Sequence, residues 1–368
     1  MKRNFLVAIM TIVSVFMAKA QNNELPMATL EHGDQTLVFT GVDAFTAAYA
    51  AAGDKGDVIT LSSGVFNFTI NGSKPFSKSL TVRGAGFEDD AATGTKATVV
   101  NNGLTICNEE ITSYDDDGNP VVNVRKADGC KFEGISFKDK AIRFYNGVND
   151  ITLAKCKFGD VIAGDLWDNH YDAENITVSN FTIRQCVFNI INKAGDYRYN
   201  VKIQNLYITN SHFSDIGDFA STSTINVDHC VVTVRNEYPK AILLATNSIL
   251  YNRLKAGSTA KNNIFVGLNS SIGDDVQDFD NNWTSVANAG VWAAEGEDGL
   301  YAEDKTFELK YPNKYIGTDG TQVGLHGGNY PWNKIPSIPR IVESNIDTRT
   351  SADGKLKVNI KVEAQTKD

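Results

Sequence analysis

The sequence predicts an all-β fold: a single solenoid of parallel strands, with a helix capping its start and a hairpin or extended tail at its finish. Three observations predict it. A short phrase recurs as Glu133-Gly-Ile-Ser-Phe137, Ala154-Lys-Cys-Lys-Phe158, Arg184-Gln-Cys-Val-Phe188, Thr209-Asn-Ser-His-Phe213, Asp228-His-Cys-Val-Val232 and Asn262-Asn-Ile-Phe265. Each copy ends on a bulky apolar residue. Ile135, Cys156, Cys186, Ser211 or Cys230 stands two positions earlier in the first five, so both side chains face one side of a strand. The intervals between copies are 21, 30, 25, 19 and 33 residues, the size of a supersecondary unit stacked in tandem. An ordinary β-sandwich does not predict a phrase repeated in register, so the solenoid is a parallel β-helix.

Residues 1–20 precede the fold. Lys2 and Arg3 form a charged start, Leu6 to Met17 an apolar run, and Ala18-Lys19-Ala20 a small-residue cleavage site. The run is too short to span a bilayer and reads as a secretory signal peptide. Gln21 follows where a lipoprotein would carry cysteine, so the product is expected to be freely exported: periplasmic, extracellular or cell-surface associated. No other segment is long enough to insert in a membrane. Losing Lys2, Arg3 and Lys19 takes the formal charge from −9 to −12. That charge argues against nucleic acid as a partner, and against an acidic polysaccharide unless local basic residues or a bridging cation intervene. The chain is expected to be a monomer.

Residues 21–55 form the cap. Thr36–Thr40 reads as a strand, and Asp43 is placed to cap an alanine-rich helix over 44–52. Residues 56–335 are read as the solenoid, rich in Val, Ile, Phe and Thr and punctuated by Gly, Asn and Asp at the corners. Asn175, Asn205, Asn210, Asn247 and Asn262-Asn263 suit left-handed corners and amide stacking. Thr246-Asn-Ser-Ile-Leu250 also resembles the phrase and would divide the last interval into 18 and 15 residues, or else mark an irregular connection. Residues 336–368 form the tail. Pro331, Pro336 and Pro339 mark extended chain, then Lys355 to Val362 alternates with Leu356, Val358, Ile360 and Val362 on one face. This strand is expected to pair with 341–346, over the C-terminal coil or beside it.

Cys156, Cys186 and Cys230 share one repeat position, so they read as a buried ladder of free thiols acting as small hydrophobes, with one disulfide between neighbouring rungs, about 4.8 Å apart, as the alternative. Cys107 and Cys130 lie outside the ladder, as core residues or a pair.

The helix, then Gly56-Asp-Val-Ile-Thr-Leu-Ser-Ser-Gly-Val-Phe66, then Leu80-Thr-Val-Arg-Gly-Ala-Gly86 resembles the opening of right-handed parallel β-helix proteins of the pectin-lyase-like type. Gly317-Thr-Asp-Gly-Thr-Gln-Val-Gly-Leu-His-Gly-Gly328 is similar to the closing segment of many secreted β-helix proteins of Bacteroidetes. The resemblance implies a plugged solenoid and does not fix a reaction, because the fold serves lyases, hydrolases and non-catalytic proteins.

Chemistry is expected in the long segments after successive phrases: Gly159–Asn175, Asn189–Asn200, Ser214–Thr224 and Arg235–Lys240. If they rise from one side, they wall a groove along the solenoid. Trp167, His170, Tyr171, Tyr197 and Tyr199, with Phe219, suit a sugar ligand, the rings by stacking on pyranose faces. Asp165, Asp168 and Asp172 supply the oxygen ligands that Ca²⁺ takes. Uronate lyases of the resembled type pair such a cation with an Arg or Lys base, which would be Arg198 or Arg235, or else Lys202. The alternative is a non-catalytic glycan-binding or cell-surface protein, which the lack of a complete catalytic motif favours.

Asp228-His229 is similar to part of a pectate-lyase motif but lies within the repeat phrase, and Asn226 stands where tryptophan is expected. Gly273-Asp-Asp275 lacks the downstream partners of polygalacturonase-type hydrolases. Asp115-Asp-Asp-Gly-Asn-Pro120 reads as a hairpin tip rather than a Ca²⁺ loop. The five histidines show no metal-ligand spacing.

Overall fold

The computed structural model describes residues 25–69, 75–91, 94–115, 117–145, 147–164, 177–193, 201–234, 240–268, 272–336, 340–346, 354 and 358–363. It is a parallel β-helix. Its larger sheet has twelve strands, opening with the antiparallel hairpin Met27–His32 and Gln35–Thr40 and running in parallel from Lys55–Leu61 to Gln277–Asp280. A second sheet of nine parallel strands runs from Leu104–Cys107 to Trp283–Val286. The bridges Ser136–Lys157–Val187 carry a third lane, which merges into the second sheet at Val187–Lys193. Asp228 pairs with Thr246, and Thr246 with Lys261. The coils of 18 and 15 residues are therefore complete turns in register.

The in-register apolar positions form the core. Phe137, Phe158, Phe188, Phe213, Val232, Leu250 and Phe265 all lie in one buried cluster. Phe158, Phe188 and Phe213 stack face to face, with centroids 5.2 and 4.8 Å apart.

Between the two sheets the chain must bend sharply, and from the coil of Gly134 onward the residue after the first strand takes a left-handed backbone. Gly134, Lys155, Gln185, Asn210, His229, Asn247, Asn262 and Asn281 all have φ between +46° and +70°. Such a conformation costs a non-glycine residue roughly 1–2 kcal/mol, so something must compensate at seven of these corners. One residue on, the chain points inward and builds a polar rail. The backbone N–H groups of Cys186, Cys230, Ser248 and Asn263 donate to Ser211 Oγ, Ser248 Oγ, Asn263 Oδ1 and Asn282 Oδ1, at 2.9 to 3.1 Å. The thiols of Cys156, Cys186 and Cys230 donate to carbonyls at 3.2–3.6 Å. All five cysteines are buried, and none forms a disulfide. The expected ladder is present, but its members act as hydrogen-bonding groups as well as small hydrophobes, because the corner leaves amides that no neighbouring strand satisfies.

Helix Ala44–Ala51 plugs the first coil, with Phe45 and Tyr49 packed on Phe68 and Phe76. Asp43 does not cap it through its side chain. The Asp43 carboxylate instead accepts from Asn67 Nδ2 at 3.3 Å, because its backbone (φ −96°, ψ 8°) lacks the extended geometry that aims a capping oxygen at the first turn. At the other helix end, the buried Lys78 ammonium donates to the carbonyls of Tyr49 and Ala52, complementing the dipole.

After Trp283–Val286 the chain turns back and runs beside the solenoid toward its start. The corner side chains hold it. Asn262 Nδ2 donates to Ile316 O at 2.7 Å, Asn210 Nδ2 to Leu325 and Gly327 O at 2.9 and 2.8 Å, Gln185 Nε2 to Pro331 O at 2.6 Å and Lys155 Nζ to Ile335 O at 2.8 Å. Asn247 exchanges bonds with Thr318 in both directions. At Gly134 a Cβ would meet Pro336 at 2.8 Å. Trp292, Phe307, Tyr315, Val323 and Leu325 of this returning strap bury the outer faces of Val231, Ile249, Ile264 and Val266 in a second core. Segment 317–328 thus lies along the flank rather than over the last coil. The strap ends near the first coils, so strand Arg340–Ile346, paired with Val358–Glu363, begins near that end and not at the C-terminal coil. Strands Glu109–Tyr114 and Pro120–Arg125 form the expected hairpin, with Asp115 accepting from the amides of Asp117 and Asn119 at its tip.

Candidate functional site

A groove runs along the solenoid where the third lane turns into the second sheet. Its rungs are polar residues one or two positions after the core Phe or Val in five successive coils: Asp139, Asp160, Asn189, Ser214 and Thr233. Four rung steps of ~4.8 Å give it a length of roughly 19 Å. Lys157, Val187 and His212 form the back wall, and Leu300 and Tyr301 of the strap form the far edge. This hollow measures about 520 Å³, and a second of about 400 Å³ adjoins it, sharing Asp139 and Lys157.

The junction of the two hollows is a charged knot drawn from three parts of the chain. Glu88, with its side chain 5% exposed, accepts Lys334 Nζ at 2.7 Å and the Tyr301 hydroxyl, and lies 3.5 Å from Lys157 Nζ. Lys157 also pairs with Glu303 at 3.0 Å. Both ammonium groups face the Tyr301 ring, at 5.3 and 5.5 Å. Burial, then the hydrogen bond to Glu88, pushes the Tyr301 phenol well above its ordinary range, so it stays a donor. His212 Nε2 contacts Gly299 O at 2.8 Å, and burial lowers its pKa to about 4. The imidazole is therefore neutral at physiological pH and donates to that carbonyl. It touches Tyr301 and Phe307, and fastens the edge of the groove to its wall.

The residues expected to carry chemistry, Asp165, Trp167, Asp168, His170, Tyr171, Asp172, Tyr197, Arg198, Tyr199 and Arg235, lie outside the described residues. The strands that flank them are described. Ala163 pairs with Lys193 where two of the segments leave, and Thr177 pairs with Lys202 where they return, so their feet stack on one edge. Lys202 is half-buried at this foot. Phe219 is a core residue, 5% exposed, and offers no stacking face.

Asp228 and His229 are structural. Asp228 accepts from Thr246 Oγ1 and Asn247 Nδ2 at 2.7 and 2.8 Å, and His229 is a buried corner residue against Asp319 and Gly324 of the strap. Asp274 and Asp275 are exposed in a turn. Among the described residues, no group of three or more His, Cys, Asp or Glu is arranged to hold a metal ion, and no helix is long and apolar enough to cross a membrane. The groove residues Glu88, Lys157, Tyr301 and Lys334 escape a sequence reading because they lie up to 246 positions apart. The sequence signal for the rungs is a polar residue one or two positions after five of the repeat phrases.

No protein-family model matches the chain, and neither a curated protein nor a solved structure matches it.

Proposed function

We propose that this is an exported β-helix protein that binds carbohydrate in the groove without reacting with it. One observation carries the reading. Five coils in succession present Asp139, Asp160, Asn189, Ser214 and Thr233 along the solenoid axis. That row offers one hydrogen-bonding group per rung, a spacing close to the rise of one extended sugar unit. Tyr301 and Leu300 at the edge add the apolar contact that sugar faces require. The leader-like residues 1–20 support export, and the opening and closing segments support a place among secreted pectin-lyase-like proteins similar to those of Bacteroidetes.

A glycan panel tested on the mature chain, with Asn189→Ala and Ser214→Ala as groove variants, checks this. Binding that weakens in both variants is the expected result, and binding unchanged in both overturns the site. Incubation of pectins, alginate and glycosaminoglycans with and without Ca²⁺ tests the catalytic alternative. An ultraviolet signal from unsaturated uronides would replace the present reading with elimination, with Asp165, Asp168 and Asp172 as cation ligands and Arg198 or Arg235 as base. Binding that survives Asp168→Ala and Arg198→Ala would exclude the long segments from recognition.

A further inference from the structure

The fixed charges of the groove narrow its ligand. Five carboxylates line the two hollows: Glu88, Asp89, Asp139, Asp160 and Glu303. The lysines beside them are already engaged. Lys157 lies between Glu88 and Glu303, Lys334 is bound to Glu88, Lys96 pairs with Asp89 at 2.8 Å, and Lys138 Nζ donates to Asn101 Oδ1 at 2.9 Å. Asp139 is exposed, and among the described residues Asp160 accepts a neutral amide, Asn189 Nδ2, at 2.9 Å. These two carboxylates stand on adjacent rungs of the larger hollow.

We infer that the groove takes a neutral or amine-bearing glycan and rejects uronate-rich and sulfated ones. The inference rests on the reading that the groove binds carbohydrate. A uronate laid along the rungs would bring its charge beside Asp139 and Asp160, and Lys157, Lys334 or Lys96 would reach it only by breaking an existing ion pair. A sugar ammonium at the same place meets two carboxylates that pair with no cation among the described residues. Each such exposed pair is worth roughly a two- to fivefold gain in affinity, reduced by salt.

The test is calorimetric binding of the mature chain to three sets of oligosaccharides. The neutral set is β-glucan, xylan, mannan and acetylated chitin hexamers. The amine-bearing set is chitosan hexamers, at a pH where the amines are charged, and the anionic set is galacturonan, alginate and a sulfated glycosaminoglycan. Binding within the first two sets, with anionic oligomers at least tenfold weaker, is expected. Asp139→Asn with Asp160→Asn should erase any advantage of chitosan over acetylated chitin. Anionic oligomers binding as tightly as the best neutral one would overturn the inference and leave the groove a carbohydrate site. No binding in any set would overturn the carbohydrate reading itself, and the inference with it.

Discussion

Acidification should loosen this protein through one residue, His212. The native imidazole has a pKa lowered by burial to about 4, against 6.5 for an ordinary histidine. Between those values the unfolded chain binds a proton that the native chain refuses. Stability from this residue is therefore complete above pH 6.5, falls as the pH drops and is fully lost below about pH 4. At about 1.36 kcal/mol per pH unit, the gap amounts to about 3 kcal/mol, a large share of the 5–15 kcal/mol typical of a folded domain. Asp319 is lowered below the ordinary aspartate value of 3.8. Its contribution is therefore lost only at lower pH, outside this window. Chemical denaturation of wild type and His212→Gln at pH 7, 5.5 and 4 isolates the effect, since Gln keeps a donor for the Gly299 carbonyl and does not titrate. The stability difference should shift by about 3 kcal/mol in favour of the variant from pH 7 to pH 4. Parallel curves, or a native His212 resonance titrating near pH 6.5, would refute the reasoning.

Other outcomes follow from the corners, the rail and the cap. Asn247→Ala removes two bonds to Thr318 and one to Asp228 and leaves alanine at φ +52°. It should cost about 2–4 kcal/mol by denaturant titration, and a loss below 0.5 kcal/mol would mean the strap is not held there. Desolvation raises the thiols of Cys130, Cys156 and Cys230, so the native protein should resist alkylation at neutral pH and release five reactive thiols on denaturation. Rapid native labelling of any of these three would contradict the buried rail. Lys78→Met leaves the Tyr49 and Ala52 carbonyls without their charged donor and should lower stability by about 1–3 kcal/mol. An unchanged melting temperature would show that the cap helix does not depend on it.

Much of the scaffold was legible because a stacked coil repeats its demands. A bulky apolar residue must recur at the same rung, and Phe137 through Phe265 do so. The strand at Val358–Glu363, within the run that alternates over 355–362, and the Asp115 tip were legible for a different reason: local chemistry decides them. The strap was not. Its partners are carbonyl groups, which any residue carries, and they lie up to 180 positions from the side chains that bind them. Two signals pointed to it in hindsight. Asn, Gln, His and Lys recur at a corner where left-handed tolerance and amide stacking were expected of Asn alone. Ile264-Phe265-Val266 is apolar on both faces and buried throughout, as a strand must be when something covers its outside. Asp43 does stand at the N-cap position, but its side chain makes no capping bond, because the backbone angle that aims it is not set by the residue type.

Solenoids are ordinarily quasi-one-dimensional: each repeat touches only its neighbours, and the ends can fray while the middle stays intact. The strap removes that independence. Because one continuous segment is pinned at Asn262, Asn247, Asn210, Gln185 and Lys155, opening any of these coils loosens a tie that its distant neighbours share. The array is thereby converted from a stack of weakly coupled units into one cooperative body, which a single cut in its last quarter would return to piecemeal unfolding.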